Sequence, residues 1–201
     1  MVRSAEVLGF IREVHAGQED AGGRPAVHHP LRVAYRVQVF LSARPALSVG
    51  PHAVDVCDAV VLAWLHHVVT DCSWTVADVA DTLALRPEVR DALAALSHPA
   101  PSHPAPSHPD GADAAAEADH EAPAGPCGGV ASSTGGDLAG VLAAGPLAMV
   151  VHLCDVTDHL NRTRLARLPA PAQRRLRARY EPVRAALRAA LATPEDGAAA
   201  V

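Results

Sequence analysis

The sequence contains no lysine, so every one of its 17 basic residues is an arginine. This absence excludes any mechanism that depends on a lysine side chain. Aromatic residues are also scarce, at 3%, although hydrophobic residues make up 49% of the 201 residues. Leucine, valine and alanine must therefore fill the core. Because alanine and leucine favour helices, this composition favours a helical protein.

The four cysteines lie far apart and form no CxxC pair, which gives no support for a zinc ribbon or a disulfide framework. Free thiols, as found in a reducing cytoplasm, are a better interpretation than either of these. Charged residues near the N-terminus interrupt any signal-peptide core. The longest apolar run, 140–151, is too short to span a bilayer. We therefore expect a cytoplasmic protein with no membrane partner. The cysteines are Cys57, Cys72, Cys127 and Cys154.

The chain has no excess of positive charge, since its formal net charge is −5 at pH 7. A dedicated nucleic-acid binder would carry a basic face, so nucleic acid is not an expected partner. Residues 74–90 superficially read as a helix-turn-helix motif, which keeps a DNA-binding protein as a remote alternative. In its second helix, however, Glu88 and Asp91 oppose Arg90, whereas a recognition helix needs donors for phosphates and guanine edges.

Apolar residues recur at helical spacing along most of the chain, and no β alternation is present. The segment 53–69 is apolar on nearly all sides, so we expect it to be the most buried helix. Thr75 followed by Asp78 indicates a capping box, and Pro182 is expected to kink or split the last helix. The predicted fold class is all-α. The expected helices cover 4–15, a segment beginning at Pro30, 53–69, a short segment after Thr75, 87–96, two stretches divided near Gly145-Pro146, and 171–191.

A tandem repeat, SHPAP, interrupts this pattern from Ser97 onward. Proline at that density forbids helices and sheet ladders, and the following residues are mostly small or polar. We therefore expect a disordered, Pro/His/Ala-rich insertion at 99–136. It divides one domain into a first part, 1–98, and a second part, 137–192, with a flexible tail at 193–201.

Histidine and aspartate residues lie on separate predicted helices, where a helical bundle could bring them together. Histidines combined with carboxylates suit a divalent transition metal. The simpler alternative is that each one is a solvated or hydrogen-bonded residue near a helix end. The candidates are His28-His29, His66-His67, Asp71 and Asp155.

Three blocks of sequence, in the same order, resemble the HD-domain metal-dependent phosphohydrolases. Residues 15–34 are similar to a pattern close to HxGQxRKxGxPYxxHPxxVA, residues 63–76 to AxLLHDxVEDTxxT, and residues 146–160 to PxAxxVKLADxxxNL. The most similar branch contains the ppGpp hydrolase domains of SpoT-type proteins and their stand-alone relatives. The resemblance implies an HD-domain helical bundle that hydrolyses a nucleotide pyrophosphate, with ppGpp as the reference substrate and as a candidate partner.

The resemblance also implies a metal site in which His29, His66 and Asp155 are ligands. His67 stands where the family has an aspartate ligand, so the family motif HDxxED reads HHxxTD here. The resembled family uses manganese, whereas the additional histidine moves the preference toward zinc, nickel or iron. A site that has lost its metal is the alternative.

The catalytic positions of the family fall on Thr70 and Asp71. In the family a Glu-Asp pair activates or positions the attacking water, but threonine cannot act as a base near neutral pH. Asp71 would have to orient or deprotonate the water alone. The positions expected to contact the substrate are Arg24, His152 and His159.

We therefore expect hydrolytic activity that is weak or lost. The alternative function is a catalytically inactive HD-type module that binds a nucleotide or a protein partner. Metal bound at the site would favour some remaining chemistry, whereas nucleotide binding without metal would favour a sensor.

Overall fold

The computed structural model describes residues 4–20, 23–97 and 137–192. These residues form helices joined by turns, with no strand among them, which confirms the expected all-α class. The expected insertion at 99–136 and the tail at 193–201 lie outside the described residues. The helices, in chain order, are α1 (Ser4–Val14), α2 (His28–Ser42), α3 (Val56–Leu65), α4 (Val68–Asp71), α5 (Val76–Leu83), α6 (Pro87–Ser97), α7 (Leu138–Ala143), α8 (Pro146–His159), α9 (Arg162–Leu165) and α10 (Ala170–Ala190), with a short 3₁₀ helix at Pro45–Ser48.

Helix α3 lies at the centre of the bundle, as its apolar sequence predicts. Every residue from Ala59 to Leu65 is buried. The helix packs against α1, α2, α6 and α8, so it has neighbours on all sides. Its first turn is fixed by Asp55, whose side chain accepts a hydrogen bond from the backbone N–H of Asp58. Burial of these apolar side chains stabilises the bundle around the site.

The predicted single helix at 53–69 is wrong at both ends. Helix α3 begins at Val56 and ends at Leu65, and a turn at His66 and His67 separates it from the four-residue helix α4. The apolar pattern continues through Val68, which is buried, so periodicity alone does not reveal the break. Both histidines lie in this turn, and Nε2 of each lies within 4.0 Å of Oδ1 of Asp155.

Helix α2 also starts earlier than predicted, at His28 instead of Pro30. Proline is tolerated there because the first-turn N–H groups of a helix have no partner within the helix. This start places His29 in the first turn, with the buried residues Val33 and Val37 one and two turns later on the core side.

Several local sequence signals match the structure. Thr75 caps α5 through the predicted capping box with Asp78. Helix α6 begins at Pro87, and the break between α7 and α8 falls at Gly145, whose φ of 91° favours glycine. Pro182 was expected to kink or split the last helix, and α10 is not split, since Pro182 lies inside one helix. The buried side chains of Tyr180 and Leu187, on either side of the proline, hold the two parts of α10 against the core.

Helices from both sides of residues 98–136 share one core. Helix α8 packs against α2, α3 and α6, all of which precede that segment. This packing brings the third sequence block, 146–160, beside the first two. In the described part of the chain, no helix combines the length and the apolar character needed to cross a bilayer.

Candidate metal centre

Four histidines converge on the carboxylate of Asp155 in the middle of the bundle. The histidines come from the start of α2, from the turn between α3 and α4, and from the end of α8. The side chain of Asp155 is only 3% exposed. All four Nε2 atoms approach one oxygen, Oδ1. The distances from Oδ1 are 3.1 Å to His29, 3.2 Å to His159, 3.6 Å to His66 and 4.0 Å to His67.

The other ring nitrogen of three of these histidines faces an acceptor. Nδ1 of His29 lies 3.0 Å from Oδ2 of Asp158, and Nδ1 of His67 lies 2.8 Å from Oδ2 of Asp71. Nδ1 of His66 lies 2.8 Å from the backbone oxygen of Ala63. An ionised carboxylate and a carbonyl only accept hydrogen bonds, so each Nδ1 must carry a proton and donate it. In a neutral ring, the lone pair is then on Nε2, the atom that faces Asp155.

Histidines bound to metals are typically held in this way, with one nitrogen donating to a carboxylate or carbonyl while the other binds the ion. Three such contacts in one cluster fix both the orientation and the tautomer of the rings. The arrangement is therefore prepared for a ligand between the Nε2 atoms and Asp155.

Unpartnered polar atoms provide an independent test of whether a metal fits. Within the described residues, four buried atoms of the cluster have no hydrogen-bond partner: Nε2 of His29, His66 and His159, and Oδ1 of Asp155. Leaving a buried polar atom unpaired costs about 1–3 kcal/mol. Imidazole lone pairs that face a carboxylate oxygen also repel it, and a cation between them removes both costs. The donor set of nitrogen and carboxylate oxygen fits a divalent transition metal.

The geometry agrees with this interpretation. One ligand atom from each of His29, His67, Asp155 and His159 lies within 4.8 Å of the others. His66 falls outside that tighter group, but its Nε2 points at the same oxygen. The cluster could therefore hold a metal ion.

The protonation states also suit metal binding. Burial lowers the pKa of His66, and burial together with the neighbouring His66 lowers the pKa of His67. Both rings are therefore neutral near pH 7, as metal ligands must be. Burial by itself would raise the pKa of Asp155, but the electrostatic influence of the neighbouring rings of His159, His152 and His29 holds it well below its usual value. Asp155 is therefore ionised.

Asp158 has a structural role that sequence reasoning missed. Its side chain is fully buried, and it accepts hydrogen bonds from His29, Arg32, Arg36 and Arg164. Although burial opposes ionisation, these partners hold its pKa below the usual value. Asp158 lies three residues after Asp155, one helical turn away, and this spacing is the only sequence signal that could have indicated it.

The predicted catalytic residues lie beside the cluster. Thr70 Oγ1 donates to Oδ1 of Asp71 at 3.0 Å, while the other oxygen of Asp71 accepts from His67. Asp71 thus holds a candidate ligand in position. Burial would raise its pKa, but the hydrogen bond from His67, together with the one from Thr70, outweighs that effect and lowers it.

The three predicted substrate contacts lie in different environments. His159 belongs to the cluster itself. His152 is buried, and its Nδ1 lies 3.7 Å from Oδ2, the second oxygen of Asp155. Arg24 is exposed in the turn between α1 and α2, where its backbone N–H donates to Asp20.

No protein-family model and no curated protein matches this sequence. The fold and the site define the class at a coarser level. The described part of the chain is all-helical, and its core contains a histidine–carboxylate cluster that could bind a metal ion.

Proposed function

We propose that the chain is an HD-type metal-binding protein, similar to the ppGpp pyrophosphohydrolases, whose hydrolytic activity is weak or lost. One observation carries the proposal. Each of the three sequence blocks that resemble the family contributes a residue to the same point: His29 from the first, His66 from the second and Asp155 from the third. His29 and Asp155 are far apart in the chain. The 3.1 Å distance between His29 Nε2 and Asp155 Oδ1 therefore depends on the packing of α2 against α8 and not on the geometry of one helix.

The ligands of a divalent metal at this point would be His29, His66, His67 and Asp155. A metal bound there would lower the pKa of a water molecule and offset phosphate charge. The chain's own residues would fix the ligand rings through Asp158, Asp71 and the Ala63 carbonyl. Burial of the cluster would exclude bulk water and strengthen these contacts.

The pKa and the hydrogen bonds of Asp71 support the proposal of low hydrolytic activity. A general base works best with a pKa near the working pH, but the pKa of Asp71 is lowered below its already acidic usual value. Both of its oxygens also accept hydrogen bonds, from His67 and from Thr70. Removing a general base commonly costs about 10²–10⁴ in rate. These contacts equally favour the second candidate function, an inactive HD-type module that binds a nucleotide or protein partner.

Elemental analysis of the purified protein tests the metal site. We expect about one divalent metal per chain, lost in His29→Ala and in His66→Ala. His28→Ala is the matched control, because His28 is the exposed neighbour of His29 and should leave the metal in place. A wild-type protein that takes up no manganese, zinc, nickel or iron would overturn the proposal.

The hydrolase part is tested separately with the variant H67D/T70E, which restores the acidic residues of the family motif. We expect this variant to hydrolyse ppGpp faster than the wild type with manganese present. If it binds metal and remains inert, the hydrolase resemblance fails, and the metal-binding module alone is retained.

A further inference from the structure

His159 is the last residue of α8 and lies one helical turn after Asp155. Residues four apart share a helix face, so both side chains point into the cluster. Nε2 of His159 lies 3.2 Å from Oδ1 of Asp155, closer than Nε2 of His66 or His67. This nitrogen is buried and has no hydrogen-bond partner within the described residues. Nothing in the resemblance assigns a ligand here, because the family pattern has asparagine at this position.

The ring of His159 is held in place from α10. It stacks on the ring of Tyr180 with a centroid distance of 4.9 Å and an angle of 10° between the planes. Tyr180 is itself buried in the small cluster formed by Val156, Leu160 and Leu165. The stacking fixes the plane of the imidazole without occupying either nitrogen.

We propose that His159 is a ligand of the metal centre, and that it converts the centre into a nitrogen-rich, nearly closed site that selects zinc over manganese. This inference rests on the proposed metal site and extends it. With His159, the donor atoms are four imidazole nitrogens and one carboxylate oxygen. Imidazole suits zinc and nickel, whereas manganese and magnesium prefer oxygen ligands.

The number of donors also affects chemistry. Zinc sites with structural roles are four-coordinate with protein ligands only, whereas catalytic sites keep a position open for water. His159, Asp155 and any two of the other three histidines complete four positions. With His29 and one histidine of the turn between α3 and α4 among the four, the metal would join α2, that turn and α8, and would stabilise the bundle instead of activating water. A filled site would lower hydrolysis for a reason separate from the hydrogen bonds that engage Asp71.

The alternative role of His159 is an ion pair with Asp155 that involves no metal. A protonated histidine is favourable at a helix C-terminus, which is where His159 lies. The two roles differ at one atom, because in the ion pair Nε2 carries a proton and in the metal centre it binds the ion. A measurement at that nitrogen therefore separates them.

Long-range ¹H–¹⁵N spectra of the histidine rings, recorded on the full chain during zinc titration, report on that atom in the wild type. We expect Nε2 of His159 to move to the position of a metal-bound nitrogen at one zinc per chain, and His28 to remain unchanged. Zinc binding measured by chelator competition should weaken more than about tenfold in His159→Asn. Manganese binding should weaken less, so the preference for zinc falls. His28→Asn is the matched control for loss of one histidine.

The outcomes distinguish this inference from the proposed function. If the wild type binds zinc but His159 Nε2 does not shift, or if His159→Asn binds zinc as tightly as the wild type, His159 is not a ligand and only this inference fails. An equal loss of zinc and manganese affinity would also overturn it, because that result indicates a positioning role. A wild type that binds neither metal overturns both.

Discussion

Nδ1 of His67 donates a hydrogen bond of 2.8 Å to Oδ2 of Asp71, four residues further along the chain. The contact joins a candidate metal ligand to the residue that sequence reasoning assigned to the attacking water. It makes Asp71 the acidic partner of His67, in the same way that Asp158 is the partner of His29. Because His67 stands where the resembled motif has an aspartate, this contact gives Asp71 a role that the resemblance does not imply.

The first prediction concerns that role. Asp71→Asn should weaken metal binding by about 10–100-fold, because outer partners of metal-bound histidines commonly contribute that much. The measurement is zinc affinity by chelator competition. Asp81→Asn, at an exposed position of α5, is the control and should bind zinc like the wild type. Unchanged affinity in Asp71→Asn would show that the His67 contact does not support the site.

The second prediction concerns stability. Free zinc at 100 times its dissociation constant should add about 2.7 kcal/mol to the free energy of unfolding, which raises the melting temperature by roughly 5–10 °C. The measurement is thermal unfolding with zinc and with a chelator. Asp155→Asn should show no such rise, whereas Asp81→Asn should show the full rise. A similar increase in all three proteins would mean that zinc acts at another site.

The third prediction concerns pH in the chelator-treated protein. Burial lowers the pKa of His66 and of His67 in the folded state from an ordinary value of 6.5. Below about pH 6.5 these two histidines bind more protons in the unfolded chain than in the folded protein. The free energy of unfolding therefore falls as the pH falls. Each histidine lowers the free energy of unfolding by up to about 1.4 kcal/mol per pH unit in that range.

Urea unfolding at pH 7.5 and at pH 5.5 measures this loss. The free energy of unfolding should fall more in the wild type than in His67→Asn, which has one such group fewer. His28→Asn, which removes an exposed histidine, should lose as much as the wild type. Equal losses in the wild type and His67→Asn would contradict the prediction.

The fourth prediction concerns the thiols. Burial raises the pKa of the Cys154 thiol to about 12, whereas Cys57 is exposed at the start of α3. Since the thiolate is the reactive form, iodoacetamide at pH 8 should label Cys57 and leave Cys154 unmodified. Mass spectrometry of the digested protein locates the label. In denaturant both should react. Labelling of native Cys154 at the rate of Cys57 would show that α8 opens readily.

The sequence by itself determined most of the helical elements, though not all of their ends, and most of the candidate ligands. The capping box at Thr75, the fully apolar stretch at 59–65 and the turn at Gly145 are local signals. They depend on residues within one or two helical turns, so they can be read without the fold. His29, His66 and Asp155 were indicated by three short motifs, each of which is a continuous stretch of sequence.

Only the tertiary structure decided how the site is built. Asp158 meets His29 from 129 residues away, a separation that no helical period encodes. The turn at His66 and His67 has no signal in the apolar pattern, which runs on through the buried Val68. His159 was expected at the substrate, and its Nε2 lies 3.2 Å from Oδ1 of Asp155. Its position one turn after Asp155 is a local feature of α8, but the stacking of Tyr180 from α10 on its ring is not. Contacts between distant helices, unlike helix starts and faces, form only when the bundle closes.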